Sequence, residues 1–238
     1  MTHFTIDIRA LKASAIACGK EETRYYLKGV CIEHAEDGPI FVATDGHRLI
    51  CTRHDWIDAK VEQFNPVIIP MDLIKRIKIN KKIDLAEITL EKSGNARMIK
   101  ITYCGAMYAE GEIVGTFPNW RAVMPREHSG EFALYNADYV CAFKDAIKLL
   151  GGSGEPLIRH NGGNPAFVNF GGIEAKLQSF GVIMPMRMQG REFLTRTPAW
   201  ALTPQARAER EKETQKPEMT SAEVATTKAA LAELERAP

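Results

Sequence analysis

Short apolar runs and amphipathic stretches follow one another along residues 1–190 in an order that repeats. Phe4-Thr5-Ile6-Asp7-Ile8 reads as a β-run and passes straight into an amphipathic helix ending near Gly19. Val67-Ile68-Ile69 does the same, with Pro70 suited to the first helical turn. Phe132-Ala133-Leu134-Tyr135 opens a third copy, whose helix is capped near Asn136 and stopped at Gly151-Gly152. The spacing is a weak internal repeat of roughly 64 residues.

Each helix is followed by strand-like runs. In copy one they are Tyr25 to Glu33, Ile40 to Thr44 and His47 to Arg53, with Asp45-Gly46 as the hairpin signal between the last two. In copy two they are Leu85 to Leu90, Met98 to Tyr103 and Met107 to Val114. Copy three has weaker runs at Pro156 to Arg159, Ala166 to Phe170 and Phe180 to Arg187. The pattern is βαβββ three times over. It predicts an α+β fold with helices on one face of antiparallel sheets.

Residues 191–238 break the pattern. Charge of both signs, much Ala and Thr and few large apolar groups predict a charged, disordered tail. Thr220-Ser221-Ala222-Glu223 is a capping box in it. Val224, Leu231 and Leu234 give a thin stripe, so a short terminal helix is the other reading.

Bulk properties narrow the class. The 238 residues suffice for one or two domains with cores. No apolar run approaches the roughly 18 residues of a membrane span, and the start reads as no signal peptide. Five scattered cysteines without metal spacing predict reduced thiols and a cytoplasmic setting. A net charge of +1 leaves the question of nucleic acid to charge placement.

That placement is suggestive. On helix one Arg9 and Lys12 are three apart, and Lys20 follows at its end. On helix two Lys75, Lys78 and Lys82 recur at helical spacing opposite Leu73, Ile74 and Ile77. On helix three Lys144 and Lys148 flank the stripe Val140, Phe143 and Ile147. Each copy thus pairs a core stripe with basic residues toward solvent, the requirement for sequence-independent phosphate contact. Arg24-Tyr25-Tyr26 is a second candidate: adjacent strand residues face opposite ways, which leaves one ring exposed beside an arginine.

Chemistry is harder to find. His47, His54 and Asp55 fit no zinc pattern, and no nucleophile elbow, P-loop or dinucleotide turn occurs. No catalytic residue, metal or cofactor is expected.

Four segments carry a family resemblance. They are Arg24-Tyr25-Tyr26-Leu27-Lys28-Gly29-Val30, Val42-Ala43-Thr44-Asp45-Gly46-His47-Arg48-Leu49, Phe117-Pro118-Asn119-Trp120-Arg121-Ala122-Val123-Met124-Pro125 and Val182-Ile183-Met184-Pro185-Met186-Arg187-Met188. In this order they resemble the bacterial sliding clamp, the beta subunit of DNA polymerase III. The resemblance maps residues 1–127 onto the family's middle domain. Residues 128–190 map onto the second half of its last domain. Ala122 departs from a common Arg, and Met188 from a common Leu.

The resemblance implies a non-catalytic processivity factor on duplex DNA. Its helices would line a DNA channel, and Arg24, Tyr25 and Tyr26 would lie on a DNA-contacting loop. It also implies a pocket for short linear peptides of a polymerase and other partners. From the first domain the pocket would take Leu27, Thr44, Gly46, His47, Arg48, Leu49, Pro118 and Val123. From the half-domain it would take Asn136, Tyr139, Pro165, Val182, Ile183, Met184, Pro185, Met186, Arg187 and Met188. Apolar walls with a few polar anchors suit docking, and methionines repack around varied partners. A clamp loader is a further implied partner. Family rings total twelve units, so three per chain calls for four chains joined head to tail. The alternative is a clamp-derived adaptor that never closes, captures clamp-binding peptides and modulates the host replication machinery.

Overall fold

Asn136 caps the third helix as expected, Pro70 caps the second rather than opening it, and the opening runs before the first two helices pair with strands of the other repeat. A computed structural model describes residues 1–80, 82–173, 176–187 and 201–214. Met1–Arg187 forms one compact unit and Met188–Pro238 a second. In repeat one, β1 (Thr2–Asp7) leads into α1 (Ile8–Ala15), then β2 (Gly29–Ala35), β3 (Gly38–Thr44) and β4 (Arg48–His54). In repeat two, β5 (Val67–Pro70) leads into α2 (Met71–Arg76), then β6 (Leu85–Ser93), β7 (Ala96–Tyr103) and β8 (Ala106–Gly111). Repeat three has α3 (Ala137–Leu149), β9 (Pro156–Arg159), β10 (Ala166–Phe170) and β11 (Leu177–Ile183).

Repeats one and two exchange their opening strands. β1 pairs antiparallel with β6, and β5 pairs antiparallel with β2. Neither repeat completes its sheet alone, so the two fold as one body. The sheets are β1-β6-β7-β8 and β5-β2-β3-β4-β11-β10-β9. The second runs on through β4–β11, with Leu49 opposite Val182 and Arg48 opposite Ile183. Residues 128–187 therefore extend the sheet of repeat one.

Helices and inner sheet faces enclose the main core. Phe4, Phe41 and Phe143 are fully buried in it, each burial contributing about 1.5–3 kcal/mol. Gly181 on β11 is required by packing: a Cβ there would lie 2.5 Å from the Phe143 ring. A second cluster covers the outer face of the long sheet. Leu49, Cys51 and Val182 point into it because strand residues alternate faces, and Trp120 of the linker closes it. The Trp120 indole N–H donates to Glu33 at 2.9 Å, and Arg121 stacks on the Trp120 ring and pairs with Glu33 at 2.8 Å. Burial pushes the thiols of Cys18, Cys31 and Cys51 up to about 12, while Cys104 and Cys141 are exposed.

Several expectations need correction. Phe132–Tyr135 lies outside any strand. The Tyr25 run begins as a 3-10 turn, Tyr25–Leu27, so the two tyrosines do not alternate as strand residues. Helix two stops at Arg76 because Ile77 turns extended and buries its side chain. The following segment is tied to the Tyr103 hydroxyl, which accepts from the Asn80 amide at 2.8 Å and donates to the Ile83 carbonyl at 2.6 Å. β11 stops at Ile183, four residues short of the expected Arg187.

Within the expected tail, residues 204–214 form a helix, α4 (Pro204–Thr214). Thr203 caps it through its carbonyl to Arg207 and its hydroxyl to Ala206, with Pro204 at the first helical position. Met188, Lys81 and the stretch holding Thr220–Glu223, Val224, Leu231 and Leu234 lie outside the described residues.

Candidate partner cleft and nucleic-acid face

The β3–β4 hairpin builds one wall of a cleft. Gly46 takes φ +90°, which favours glycine, and a Cβ there would approach the Arg24 guanidinium at 2.5 Å. Thr44 Oγ1 donates to the Arg48 carbonyl at 2.7 Å and accepts from the Gly46 amide at 3.0 Å. The Asp45 carboxylate accepts from the amides of His47 and Arg48 at 2.9 and 3.0 Å, and from Arg48 Nε at 3.2 Å. Arg48 also donates to the Ile16 carbonyl at the end of α1, at 3.0 Å. Its guanidinium is thereby fixed.

The opposite wall comes from α3. Asn136 caps that helix by accepting from the Asp138 amide at 2.9 Å, which sets the first turn and places Tyr139 over the hairpin. Arg48 sits 4.6 Å from the centre of the Tyr139 ring, and the His47 ring lies nearly parallel to it at 6.3 Å. The resulting cleft, about 300 Å³, is lined by Leu27, His47, Arg48 and Tyr139 together with Cys18, Gly19, Asp45 and the charged Lys20, Glu21 and Arg24, so two expected DNA contacts also border it. The strand end after β11 joins this rim, since the Met184 amide donates to the His47 carbonyl at 2.8 Å. Met184 and Met186 stand 38% and 50% exposed, which leaves their side chains available to a ligand.

Other expected pocket residues lie elsewhere. Val123 and Pro165 line a separate cleft of about 490 Å³ with Met124, Pro125, His128 and Asn161. Leu49 and Val182 are buried beneath Trp120, and Ile183 is buried on the helix side, so all three are core. Pro118 and Arg187 are exposed and Pro185 is half-buried.

The basic residues also divide. Arg9 is only 8% exposed and corrects the expectation of a solvent-facing charge. It folds back on the N-cap Asp7, with Nε–Oδ1 at 3.0 Å and Nη2–Oδ2 at 2.6 Å. Lys12 donates to the Ile74 carbonyl at 2.8 Å, near the end of α2, and burial lowers its pKa. Lys78 and Lys82 are exposed but lie beyond α2, so no common helix face carries them with Lys75. Lys144 pairs with Glu155, and Lys148 lies 3.6 Å from Asp145. Arg24 pairs with Glu21 at 2.8 Å.

Lys20, Tyr25 and Lys75 do converge. They line a groove of about 620 Å³ between the end of α1, the Tyr25–Leu27 turn and α2. Lys28 joins them, a residue missed although it follows Leu27 directly; it pairs with Glu22. Tyr25 is 51% exposed and meets Tyr26 edge to face at 5.7 Å. Lys75 contacts Asp72 at 3.5 Å, an exposed pair worth at most about 1 kcal/mol that leaves the ammonium open to another anion.

Comparisons with known proteins agree with this architecture. Residues 7–119 match the family described as DNA polymerase III beta subunit, central domain. The beta sliding clamp of Caulobacter vibrioides is 28% identical over 133 residues, which is 54% of this chain and 35% of the relative. That of Treponema pallidum is 23% identical over 147 residues, 61% of this chain and 38% of the relative. A solved DNA polymerase sliding clamp from Pseudomonas aeruginosa superposes with a TM-score of 0.62 at 18% identity, over 79% of this chain and 67% of that one. The chain spans little more than a third of the curated relatives it matches. Repeats one and two thus carry the sequence match, and the fold match reaches further. Over the part it shares with them, the chain is similar to the bacterial beta sliding clamps in sequence and in fold.

Proposed function

We propose that this chain is a DNA clamp: a non-enzymatic processivity factor that holds duplex DNA and tethers a polymerase or other partners. The observation that carries the reading is the convergence of two separated motifs on one cleft. Asp45, His47 and Arg48 of the hairpin in repeat one and Tyr139 of repeat three line it, and the Met184 amide bonds to the His47 carbonyl at its rim. A linear peptide fits such a cleft, with apolar side chains on Leu27 and the methionines and polar ends near Arg48. DNA lies against the Lys20–Tyr25–Lys75 groove, through phosphates and without base readout. Several chains form a ring, and no cofactor or metal takes part. No described helix is long and apolar enough to cross a membrane.

Salt titration tests the DNA face. Replacing Lys20 and Lys75 together with Gln is expected to weaken DNA binding and reduce the log–log salt slope by about 1.8, from roughly 0.9 per lost phosphate contact. An unchanged slope in a folded double variant removes this groove from the DNA face.

A further inference from the structure

Repeat three holds both halves of a strand exchange that it does not make. In repeats one and two the exchange has one register. Asp7, the N-cap of α1, faces Leu85, the first residue of β6. Pro70, the N-cap of α2, faces Gly29, the first residue of β2. Each acceptor is the first strand after a helix. In repeat three that strand is β9, whose one neighbour among the described residues is β10. Leu157 on it is 62% exposed.

The donor is also present. Glu131–Tyr135 precedes the N-cap Asn136 as Thr2–Ile6 of β1 precedes the N-cap Asp7. Its ends are fixed just beyond β9 and just beyond β11. The Gly130 amide donates to His160 O at 3.1 Å, and the Gly162 amide to Glu131 O at 2.9 Å. The Met186 amide donates to Leu134 O at 2.8 Å. The segment therefore runs past the strand ends rather than along its own β9. Phe132 is 90% and Leu134 38% exposed, whereas Phe4, Ile6, Val67 and Ile69 of the two paired openers are fully buried. An apolar opener and an open sheet edge side by side are a template for another chain.

We propose that repeat three pairs with repeat three of a second copy about a two-fold axis, each copy donating Phe132–Tyr135 to the other's β9. One symmetry operation satisfies both donors and both edges, which is the self-complementarity of an isologous contact. A different partner strand would occupy the edge and leave the donor open. The shared register sets Asn136 opposite Pro156 of the second copy, Tyr135 opposite Leu157, Leu134 opposite Ile158 and Ala133 opposite Arg159. Pro156 is tolerated as the first residue of a strand. The junction is two-fold, in place of the head-to-tail contact that unit counting suggests.

Crosslinking of the full chain tests the register. The exposed Cys104 and Cys141 are first replaced by Ser. Ala133→Cys and Arg159→Cys are then introduced together, since directly opposed antiparallel residues lie within disulfide reach. Mild oxidation is expected to give a covalent dimer on a non-reducing gel, and neither single variant should do so. The unmodified protein, sedimented at micromolar concentration without DNA, is expected at an even multiple of the chain mass. Replacing Phe132 and Leu134 with Lys should halve that mass. A strictly monomeric unmodified protein overturns the proposal, as does oxidation that yields only an intrachain disulfide. Neither readout uses DNA or peptide, so this failure is distinguishable from failure of the clamp reading.

Discussion

Replacing Asp7 with Ala is expected to destabilise the Met1–Arg187 unit by about 3–5 kcal/mol, the cost of removing one partner from a buried ion pair. Asp7 is 3% exposed. Its carboxylate accepts from the Arg9 amide at 3.0 Å, capping α1, and holds the Arg9 guanidinium through both oxygens. Loss of the cap alone accounts for about 1 kcal/mol. The remainder is the cost of taking this two-oxygen partner from a buried guanidinium, whose contact with the half-exposed Asp84 is longer, at 3.4 Å. The Asp7 amide is committed too, donating to His54 Nε2 at 3.1 Å while His54 Nδ1–H donates to the Asp55 carbonyl at 2.8 Å. His54 is therefore neutral, with burial lowering its pKa. The double variant Asp7→Asn with Arg9→Met should cost clearly less than Asp7→Ala, because no charge remains buried. Urea denaturation measures both. A loss below about 1 kcal/mol for Asp7→Ala would place Arg9 in water and contradict the geometry.

The second large effect concerns the cleft. A short peptide rich in Gln, Leu and Phe is expected to bind with micromolar affinity, about −8 kcal/mol. Met184→Asp should weaken it by at least about 30-fold, because an unpaired carboxylate would be covered by the apolar ligand. The fold should tolerate this change, since Met184 is 38% exposed and contributes its backbone amide to His47. Tyr139→Ala should also weaken binding by removing the ring that faces Arg48 and His47. DNA affinity should be unchanged in both variants, as neither residue lines the Lys20–Tyr25–Lys75 groove. Calorimetric titration that shows no saturable heat with the unmodified protein would make the retained motifs ordinary core.

Local signals explain what the sequence revealed. Asn136 as cap and Gly151-Gly152 as stop bracket α3, because each end is satisfied within its own few residues. Asp45-Gly46 marked the β3–β4 turn for the same reason. The exchange of β1 and β5 was not legible, since their partners lie in the other repeat and the apolar runs say only that some edge receives them. Phe132–Tyr135 shows the limit of that reasoning: a strand-forming run stays outside any strand when its own chain offers no edge along which it lies.

Charge was read least well. Helical spacing grouped Arg9 with Lys12 and Lys75 with Lys78. Arg9 instead turned to the Asp two positions before it, and Lys78 fell past the point where Ile77 ends the helix to fill the core. The pocket motifs were legible as segments but not as faces. Leu49 and Arg48 are adjacent on one strand, so one enters the outer core and the other the cleft. The helix α4 was overlooked because composition outweighed the Thr203-Pro204 start signal.

The clamp reading rests on topology around DNA, and retention on a closed circle tests it most directly. Protein is bound to nicked circular plasmid in low salt, separated from free protein by gel filtration, and the plasmid is then linearised. The account predicts that protein stays with the circle and leaves once the DNA has ends, because a ring slides off while a surface contact does not. Equal retention on circular and linear DNA, in a preparation that binds peptide normally, would contradict it.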